Sequence, residues 1–212
     1  GCCGGLFFMP AQWRVPLYAL GRKNASALAP GGKRWYALSL RGVAPRGEER
    51  ARMRRENELR ILPVGPENRA ACLGLRTAPG QEGFVESVED CLREAQGYGA
   101  WRPVALLRGE EVVGFAMYGF FPMYKPAGRV WLDRLLIGAA HQGRGYGRAA
   151  LGLLLARLRV EYGNRDVYLS VVAGNEAAAR LYVSFGFVRT GEKDVGGEDV
   201  YVRRAEEILP PS

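Results

Sequence analysis

The chain has 212 residues, of which 48% are hydrophobic, and it carries a net charge of +8 at pH 7. This length suits one domain with a full hydrophobic core. The positive charge belongs to the leading segment, since residues 1–52 hold 9 of the 30 basic residues but only 2 of the 22 acidic ones. The nearly neutral remainder argues against a nucleic-acid-binding body. A single histidine and the lack of a Cys-x-x-Cys pair argue against a zinc site.

The leading segment shows neither a helical nor a strand period, and it contains clusters of glycine and proline. We therefore expect residues 1–52 to be an extension or upstream translated sequence, with Met53 as the start of a domain over residues 53–212. A basic arm that binds nucleic acid or membrane is the alternative. The scattered basic residues disfavour it, and the apolar run at residues 6–9 is too short to cross a bilayer. We expect no nucleic-acid or membrane partner and a reducing, cytoplasmic location.

The body of the chain predicts strands that are first antiparallel and then alternate with helices. Such an order implies a mixed α/β sheet covered by helices on both faces. Cys72 and Cys91 fall on predicted helices, where we expect small buried hydrophobic residues. The predicted elements are a strand at 59–64, helices at 66–75 and from Ser87, a hairpin at 103–107 and 112–121, a strand at 129–137, a helix at 145–162, a strand at 167–171, a helix at 175–185 and a hairpin at 187–202.

A glycine-rich turn, Gln-Gly-Arg-Gly-Tyr-Gly at residues 142–147, stands between a predicted strand and a long apolar helix. Backbone N–H groups at a helix start suit a pyrophosphate, and Gly145 and Gly147 would let it approach closely. The dinucleotide fingerprint fails because Arg148 stands where its third glycine belongs, and the phosphate-loop motif is absent. The turn therefore predicts another kind of pyrophosphate site, with an unoccupied surface turn as the alternative.

Gln-x-x-Gly-x-Gly at residues 142–147 resembles the pyrophosphate loop of the GNAT superfamily of acetyl-CoA-dependent N-acetyltransferases. Residues 175–187 resemble the second hallmark of that superfamily, an asparagine followed by Ala-x-x-Leu-Tyr and Gly-Phe. The seven-residue step from Asn175 to Tyr182 is about two helical turns, so both project from one helix face. The resemblance implies the α/β GNAT fold, a mixed, mostly antiparallel sheet of six to seven strands flanked by about four helices. It also implies acetyl-CoA as co-substrate and no metal.

The same resemblance implies where acetyl-CoA would bind. The pantetheine arm would pair with the strand backbone at residues 135–137, where adjacent strands splay apart. Asn175 would hydrogen-bond this arm, cap the helix, or do both. Tyr182 would donate a proton to the departing thiolate, the alternative being a core aromatic beneath Phe185. The implied cofactor-binding residues are Leu135, Leu136, Ile137, Gln142, Gly143, Arg144, Gly145, Tyr146, Gly147, Arg148, Asn175, Ala178 and Tyr182.

Residues 81–89, 114–121 and 130–134 look like bacterial diamine and spermine/spermidine acetyltransferases, and this narrower resemblance covers roughly residues 59–203. Acidic residues are concentrated in and before the second helix, where they would attract a polycation. A solvated helix face is the alternative. Glu82 and Glu86, ahead of the helix, are favoured as substrate contacts. The residues favoured as surface positions are Glu89, Asp90 and Glu94.

Asp133 lies on the strand that leads to the glycine-rich turn, at a position where the polyamine enzymes carry a carboxylate. It could deprotonate the substrate ammonium through a water or anchor it, whereas a salt bridge to Arg134 or Arg129 is the alternative. Trp131 shares its strand face and could stack on a methylene chain or a cation, with core packing as the alternative. Weaker candidates for such aromatic contacts are Tyr118 and Tyr124. His141 is expected to be exposed and is not assigned as a base.

These residues predict transfer of an acetyl group from acetyl-CoA to a primary amine of a diamine or polyamine, by direct transfer. Tyr182 and Asp133 are the predicted catalytic residues, and Glu82, Glu86, Trp131 and Tyr118 complete the predicted substrate contacts. Two alternatives stay open: acetylation of another cationic amine, such as an aminoglycoside-type antibiotic or a peptide N-terminus, and a non-catalytic acyl-CoA-binding regulator. The resemblance is also compatible with a homodimer.

Overall fold

The computed structural model describes residues 58–205, so the prediction for residues 1–52 lies outside the described part. Seven strands form one sheet in the order β1-β2-β3-β4-β5-β7-β6, and four α-helices accompany it within the described residues. The predicted mixed α/β architecture is confirmed. The strands are Leu59–Pro63 (β1), Trp101–Arg108 (β2), Glu111–Phe121 (β3), Arg129–Ile137 (β4), Val167–Val171 (β5), Val188–Lys193 (β6) and Asp199–Arg203 (β7). The helices are Arg69–Leu73 (α1), Val88–Gly97 (α2), Tyr146–Tyr162 (α3) and Glu176–Val183 (α4).

Side chains near the helix starts help to set where helices α1 and α2 begin. The Ser87 hydroxyl accepts a hydrogen bond from the backbone N–H of Asp90 at 3.1 Å, as predicted for the start of α2. Helix α1 is shorter than predicted because the Asn68 side chain organises the preceding turn. Its Oδ1 accepts from the N–H of Gly65 at 2.9 Å and its Nδ2 donates to the carbonyl of Pro63 at 2.9 Å. A side chain that satisfies these backbone groups favours a turn over a helix.

Helices cover both faces of the sheet. Leu151, Leu154 and Leu158 of α3 join Tyr182 of α4 in the buried cluster on one face. On the opposite face α1 and α2 pack against β2, β3 and the end of β4, with Cys72 and Cys91 buried as expected. Residues 58–205 contain no helix that is both long and apolar enough to pass through a membrane.

A β-bulge in β4 changes which way its side chains point. Met117 of β3 pairs with Arg134, but the next residue, Tyr118, pairs with Leu132, so Asp133 has no opposite residue. Leu132 before the bulge and Leu135 after it both pack toward α3. Strict alternation would place these two side chains on opposite faces, and the inserted residue reverses it. Asp133 and Arg134 therefore share a face although they are neighbours.

Strands β4 and β5 separate soon after they meet. They form the only parallel pair of the described sheet, and their ladder includes just Val130 with Val167 and Trp131 with Tyr168. From Leu132 onward, the β5 side of β4 has no ladder partner in the described sheet. The gap opens toward the start of α3, where the predicted pyrophosphate turn lies.

Candidate active site

Two cavities meet between the separated strands and form one cleft. The loop cavity, of about 280 Å³, follows the glycine-rich turn at residues 142–147. The acidic cavity, of about 560 Å³, lies between α2, β4 and the β6–β7 hairpin. A cleft of this size is typical of ligand sites. The residues that line both cavities are Phe84, Val85, Leu135, Asn175, Ala178 and Tyr182.

The glycine-rich turn leaves the start of α3 open to an anion. Gly143 and Gly145 have φ angles of 74° and 80°, in the left-handed region that other residues enter at a cost. Gly145 is the N-cap of α3 and no side chain caps the first N–H groups. These donors lie at the positive end of the helix dipole, so the turn can hold a phosphate group. Tyr146 and Gly147 continue the lining of the loop cavity.

The Gln142 and Arg148 side chains beside this turn are engaged with the protein. Gln142 lines the loop cavity, and its Nε2 donates to the carbonyl of Ile137 at 3.0 Å. Arg144 is exposed outside the cavity lining. Arg148 is also exposed, donates to Ser184 Oγ at 2.9 Å and lies over the Phe185 ring at 5.3 Å. The backbone donors of the turn are therefore better placed for a pyrophosphate than the two arginines.

Leu135, Leu136 and Ile137 line the loop cavity from the unpaired side of β4. Across the gap, Asn175 caps α4, because its Oδ1 accepts from the N–H of Ala178 at 3.2 Å. The predicted helix cap is confirmed. Asn175 and Ala178 line both cavities, so the start of α4 forms the wall opposite β4.

Tyr182 lies where the two cavities join, and only 9% of it is exposed. Its ring packs 5.8 Å from the ring of Phe187, and Phe185 packs against the same buried cluster. Burial raises the pKa of the phenol to about 12. The hydroxyl therefore keeps its proton near neutral pH and can act as a proton donor at the junction.

Six carboxylates but only three basic side chains line the acidic cavity. Three of the carboxylates surround Arg134: Glu86 lies 2.7 Å from its Nε, Glu94 lies 3.3 Å from its Nη2, and Asp133 is in contact with its Nη1. One guanidinium cannot neutralise three carboxylates, so this wall keeps a negative excess. The salt bridge foreseen as the alternative role of Asp133 is present.

The β6–β7 hairpin supplies the opposite acidic wall with Glu192, Asp194 and Glu198. Glu192 accepts two hydrogen bonds from Arg129, at 2.7 and 3.0 Å, and this contact lowers the pKa of its carboxyl. Sequence reasoning did not assign these residues to the site. The available signal was the group of acidic residues on both sides of the predicted hairpin turn.

Aromatic side chains form the floor between the two acidic walls. Trp131 lines the acidic cavity together with Asp133, on the face that the sequence predicts for both. Its ring lies 6.3 Å from that of Tyr124 and 5.9 Å from that of Tyr168. Trp131 is 8% exposed, and its Nε1 has no hydrogen-bond partner among the described residues. The indole thus combines core packing with a donor that is still unused.

The sequence pattern of the acetyltransferase (GNAT) family matches residues 70–187, more than half of the chain. The chain belongs to the GNAT acetyltransferase family. This GNAT acetyltransferase is 41% identical over 148 residues to the spermine/spermidine N(1)-acetyltransferase of Bacillus subtilis (strain 168), an alignment that covers 68% of this chain and 97% of the relative.

Solved structures support the GNAT fold. An acetyltransferase from Thermus thermophilus is 28% identical with a TM-score of 0.52, over 69% of this chain and 97% of that one. A spermidine N-acetyltransferase from Vibrio cholerae, solved with CoA and spermine, has a TM-score of 0.53 over 68% of this chain and 93% of that one. At 17% identity the second structure supports the fold alone.

Three positions in this GNAT acetyltransferase differ from expectation. Tyr118 is fully buried away from the cleft, where its hydroxyl donates to Glu161 at 2.9 Å, so the geometry removes it from the substrate contacts. Burial, followed by this hydrogen bond, raises its pKa. Glu82 is exposed and accepts from the N–H of Gly80 at 2.9 Å, outside the cavity lining. The side chain of His141 is only 14% exposed, contrary to the expectation, and it lines the loop cavity.

Glu94 stands in the acidic cavity in place of Glu82. Trp101 Nε1 donates to Glu94 at 2.9 Å and Arg134 lies against the same carboxylate, so two donors orient it toward the cavity. Its side chain is nevertheless 43% exposed, so the expected surface position is confirmed and the cavity contact is additional. Within residues 58–205, no group of three or more metal-binding side chains could hold a metal ion.

Proposed function

We propose that this acetyltransferase transfers the acetyl group of acetyl-CoA directly to a primary amine of a diamine or polyamine of the spermidine or spermine type. The observation that carries the proposal is the acidic cavity, with six carboxylates against three basic groups, opening into the loop cavity at Tyr182. A negatively charged cleft attracts and orients a polycation. The name of the Bacillus subtilis relative gives independent support.

The loop cavity would hold part of acetyl-CoA, which supplies the thioester for the reaction. The open start of α3 at Gly145 would hold the pyrophosphate, since its first N–H groups lack a side-chain cap. The unpaired backbone of residues 135–137 would pair with the pantetheine amides as an added strand does at a sheet edge. Asn175 at the opposite wall would add a side-chain hydrogen bond.

Asp133 and Tyr182 have complementary roles in the proposed transfer. The amine must lose a proton before it attacks, and the Asp133 carboxylate can accept that proton through a water or hold the ammonium in place. As the new C–N bond forms, the C–S bond breaks, and the Tyr182 hydroxyl donates a proton to the leaving sulfur. Burial keeps this hydroxyl protonated because it raises the pKa to about 12.

The cysteines of the described part support direct transfer without an acetyl-enzyme. Cys72 and Cys91 are buried and line neither cavity. Burial raises the pKa of each thiol to about 11, so neither forms a nucleophilic thiolate near neutral pH. We propose a cytoplasmic location, where such thiols stay reduced.

A panel of amines tests the proposal. CoA release would be measured with putrescine, spermidine and spermine, and compared with butylamine, an aminoglycoside and a peptide with a free N-terminus. We expect the polyamines to have the highest kcat/KM and mass spectrometry to show one added acetyl group on the amine. Exclusive turnover of the peptide or the aminoglycoside would contradict the polyamine assignment. An acetylated protein in the absence of amine would contradict direct transfer.

A further inference from the structure

The segment at residues 81–87 runs along both cavities and so connects their walls. Gln81 lines the loop cavity, and Phe84 and Val85 line both cavities. Glu86 lines the acidic cavity and pairs with Arg134. Residues 84–86 of this segment form one side of the proposed amine-binding cavity, and we call them the amine wall. Any displacement of the segment would move the amine wall, so the contacts that hold the segment in place matter for substrate binding.

Gln81 joins this segment to the glycine-rich turn through a reciprocal amide pair. Gln142 Nε2 donates to Gln81 Oε1 at 2.8 Å, and Gln81 Nε2 donates back to Gln142 Oε1 at 3.2 Å. The backbone of Gln81 continues the connection, because its carbonyl accepts from the N–H of Phe84 at 3.1 Å. Both amides are partly buried, where an unpaired amide is costly.

Gln81 and Gln142 differ in the other hydrogen bonds that their side chains make. Gln142 also donates to the carbonyl of Ile137 at 3.0 Å, a bond that keeps the turn against the end of β4 without help from Gln81. The Oε1 of Gln81 accepts a further, longer bond from the N–H of Ala78 at 3.4 Å, within its own segment. Loss of Gln81 should therefore release the amine wall, whereas loss of Gln142 should disturb both the wall and the turn.

We propose that Gln81 is a positioning residue that fixes the amine wall at residues 84–86 against the pyrophosphate turn by pairing with Gln142. It acts on the reaction through these contacts and not by touching the reacting atoms. The proposal rests on the proposed function for the identity of the amine, and on the described contacts for everything else.

Four variants test this role: Gln81→Ala, Gln142→Ala, the double variant, and Gln96→Ala as a control. Gln96 is exposed on α2 and undergoes the same chemical change outside the cleft lining. We expect Gln81→Ala to raise the spermidine KM about fivefold, the size expected when one or two hydrogen bonds are lost, with kcat within about twofold of wild type and a smaller rise in the acetyl-CoA KM, since Gln81 also lines the loop cavity. Gln142→Ala should raise both KM values.

The double variant should have the spermidine KM of Gln142→Ala alone, because both changes break the same pair. Additive effects, or an unchanged amine KM in Gln81→Ala, would overturn the proposal. Unfolding temperatures of all four variants separate a loss of folding from a loss of positioning. If wild type acetylates another amine of the panel and not spermidine, the proposed function fails, and the same cycle with that amine still decides the role of Gln81.

Discussion

Tyr182 shows how burial suits one side chain to its proposed role. It is almost enclosed at the junction of the cavities, and its surroundings disfavour the charged phenolate. A phenol that stays protonated can give its proton to a leaving thiolate only when charge develops there. The same burial fits a simple packing role, and the two roles differ in what happens when the hydroxyl is removed.

Replacing Tyr182 by Phe keeps the ring against Phe187 and removes only the hydroxyl. We expect kcat to fall at least about tenfold while the Kd for CoA changes by less than about twofold, since the lost interaction acts in the transition state. Turnover would be measured by thiol release and affinity by calorimetry. An unchanged kcat would remove Tyr182 from the mechanism.

The pH dependence provides a second measure of this residue. The protonated phenol is the donor, and a pKa raised to about 12 extends its protonated range upward. The wild-type kcat should therefore not decline across pH 8 to 10, and the loss of the donor should appear only as the pH rises toward about 12. A decline centred near the ordinary tyrosine pKa of about 10 would contradict the assignment.

Asp133 can be tested in the same way. Asp133→Asn removes the charge but keeps the shape of the side chain beside Arg134. If Asp133 accepts the proton, we expect kcat for spermidine to fall by about a hundredfold, whereas a pure anchor would mainly raise KM. The matched control is Glu89→Gln, because Glu89 is exposed on α2 outside the cavity lining. Steady-state kinetics with spermidine that are unchanged in Asp133→Asn would exclude both roles.

At the scale of elements, the start of α3 and the bulge in β4 create the site. The turn at Gly143 and Gly145 exposes the first donors of α3, and the bulge brings Asp133 and Arg134 to one face of β4. A regular strand would have placed one of these two charged side chains on the opposite face of the sheet.

Gly145→Ala tests the turn with a control on the same helix. Gly163 ends α3 with a φ of 77°, and an added Cβ would meet no atom within 4 Å at either glycine. Each alanine should cost about 1–3 kcal/mol of unfolding free energy, since both positions have a positive φ that alanine adopts only at a cost, although only Gly145 is in the αL region. Only Gly145→Ala should also raise the acetyl-CoA KM, by about tenfold, because its Cβ would stand where the phosphate is proposed to approach. Equal acetyl-CoA KM values in both variants would contradict the assignment of the turn.

At the scale of the whole molecule, the seven-stranded sheet and both cavities lie within residues 58–205. We therefore expect a variant that starts at Met53 to keep its turnover and its unfolding temperature. Thiol release with spermidine and thermal unfolding would be compared with the full chain at several salt concentrations. A large loss of either property would show that residues 1–52 contribute to the enzyme.

Much of the fold and part of the candidate site could be predicted because the signals are local. Strands β4 and β5 agree with their predicted limits, and the helix caps at Ser87 and Asn175 could be predicted from a few neighbouring residues. Which carboxylates line the cleft was harder to predict from the sequence. Glu82 lies outside the cavity lining, whereas the exposed Glu94 reaches the cavity because Arg134, 40 residues away in the chain, and Trp101 contact its carboxylate.

The sequence by itself determined the order of elements, the open glycine turn before α3 and the position of Tyr182 on the same helix as Asn175. These features depend on backbone preferences and helical spacing within a few residues. Only the tertiary structure decided that Asp133 lies at a bulge, that the β6–β7 hairpin forms the second acidic wall and that Tyr118 faces the core. Those outcomes depend on how neighbouring strands pair and pack in the sheet, and a shift of one residue in register reverses the face on which a side chain lies.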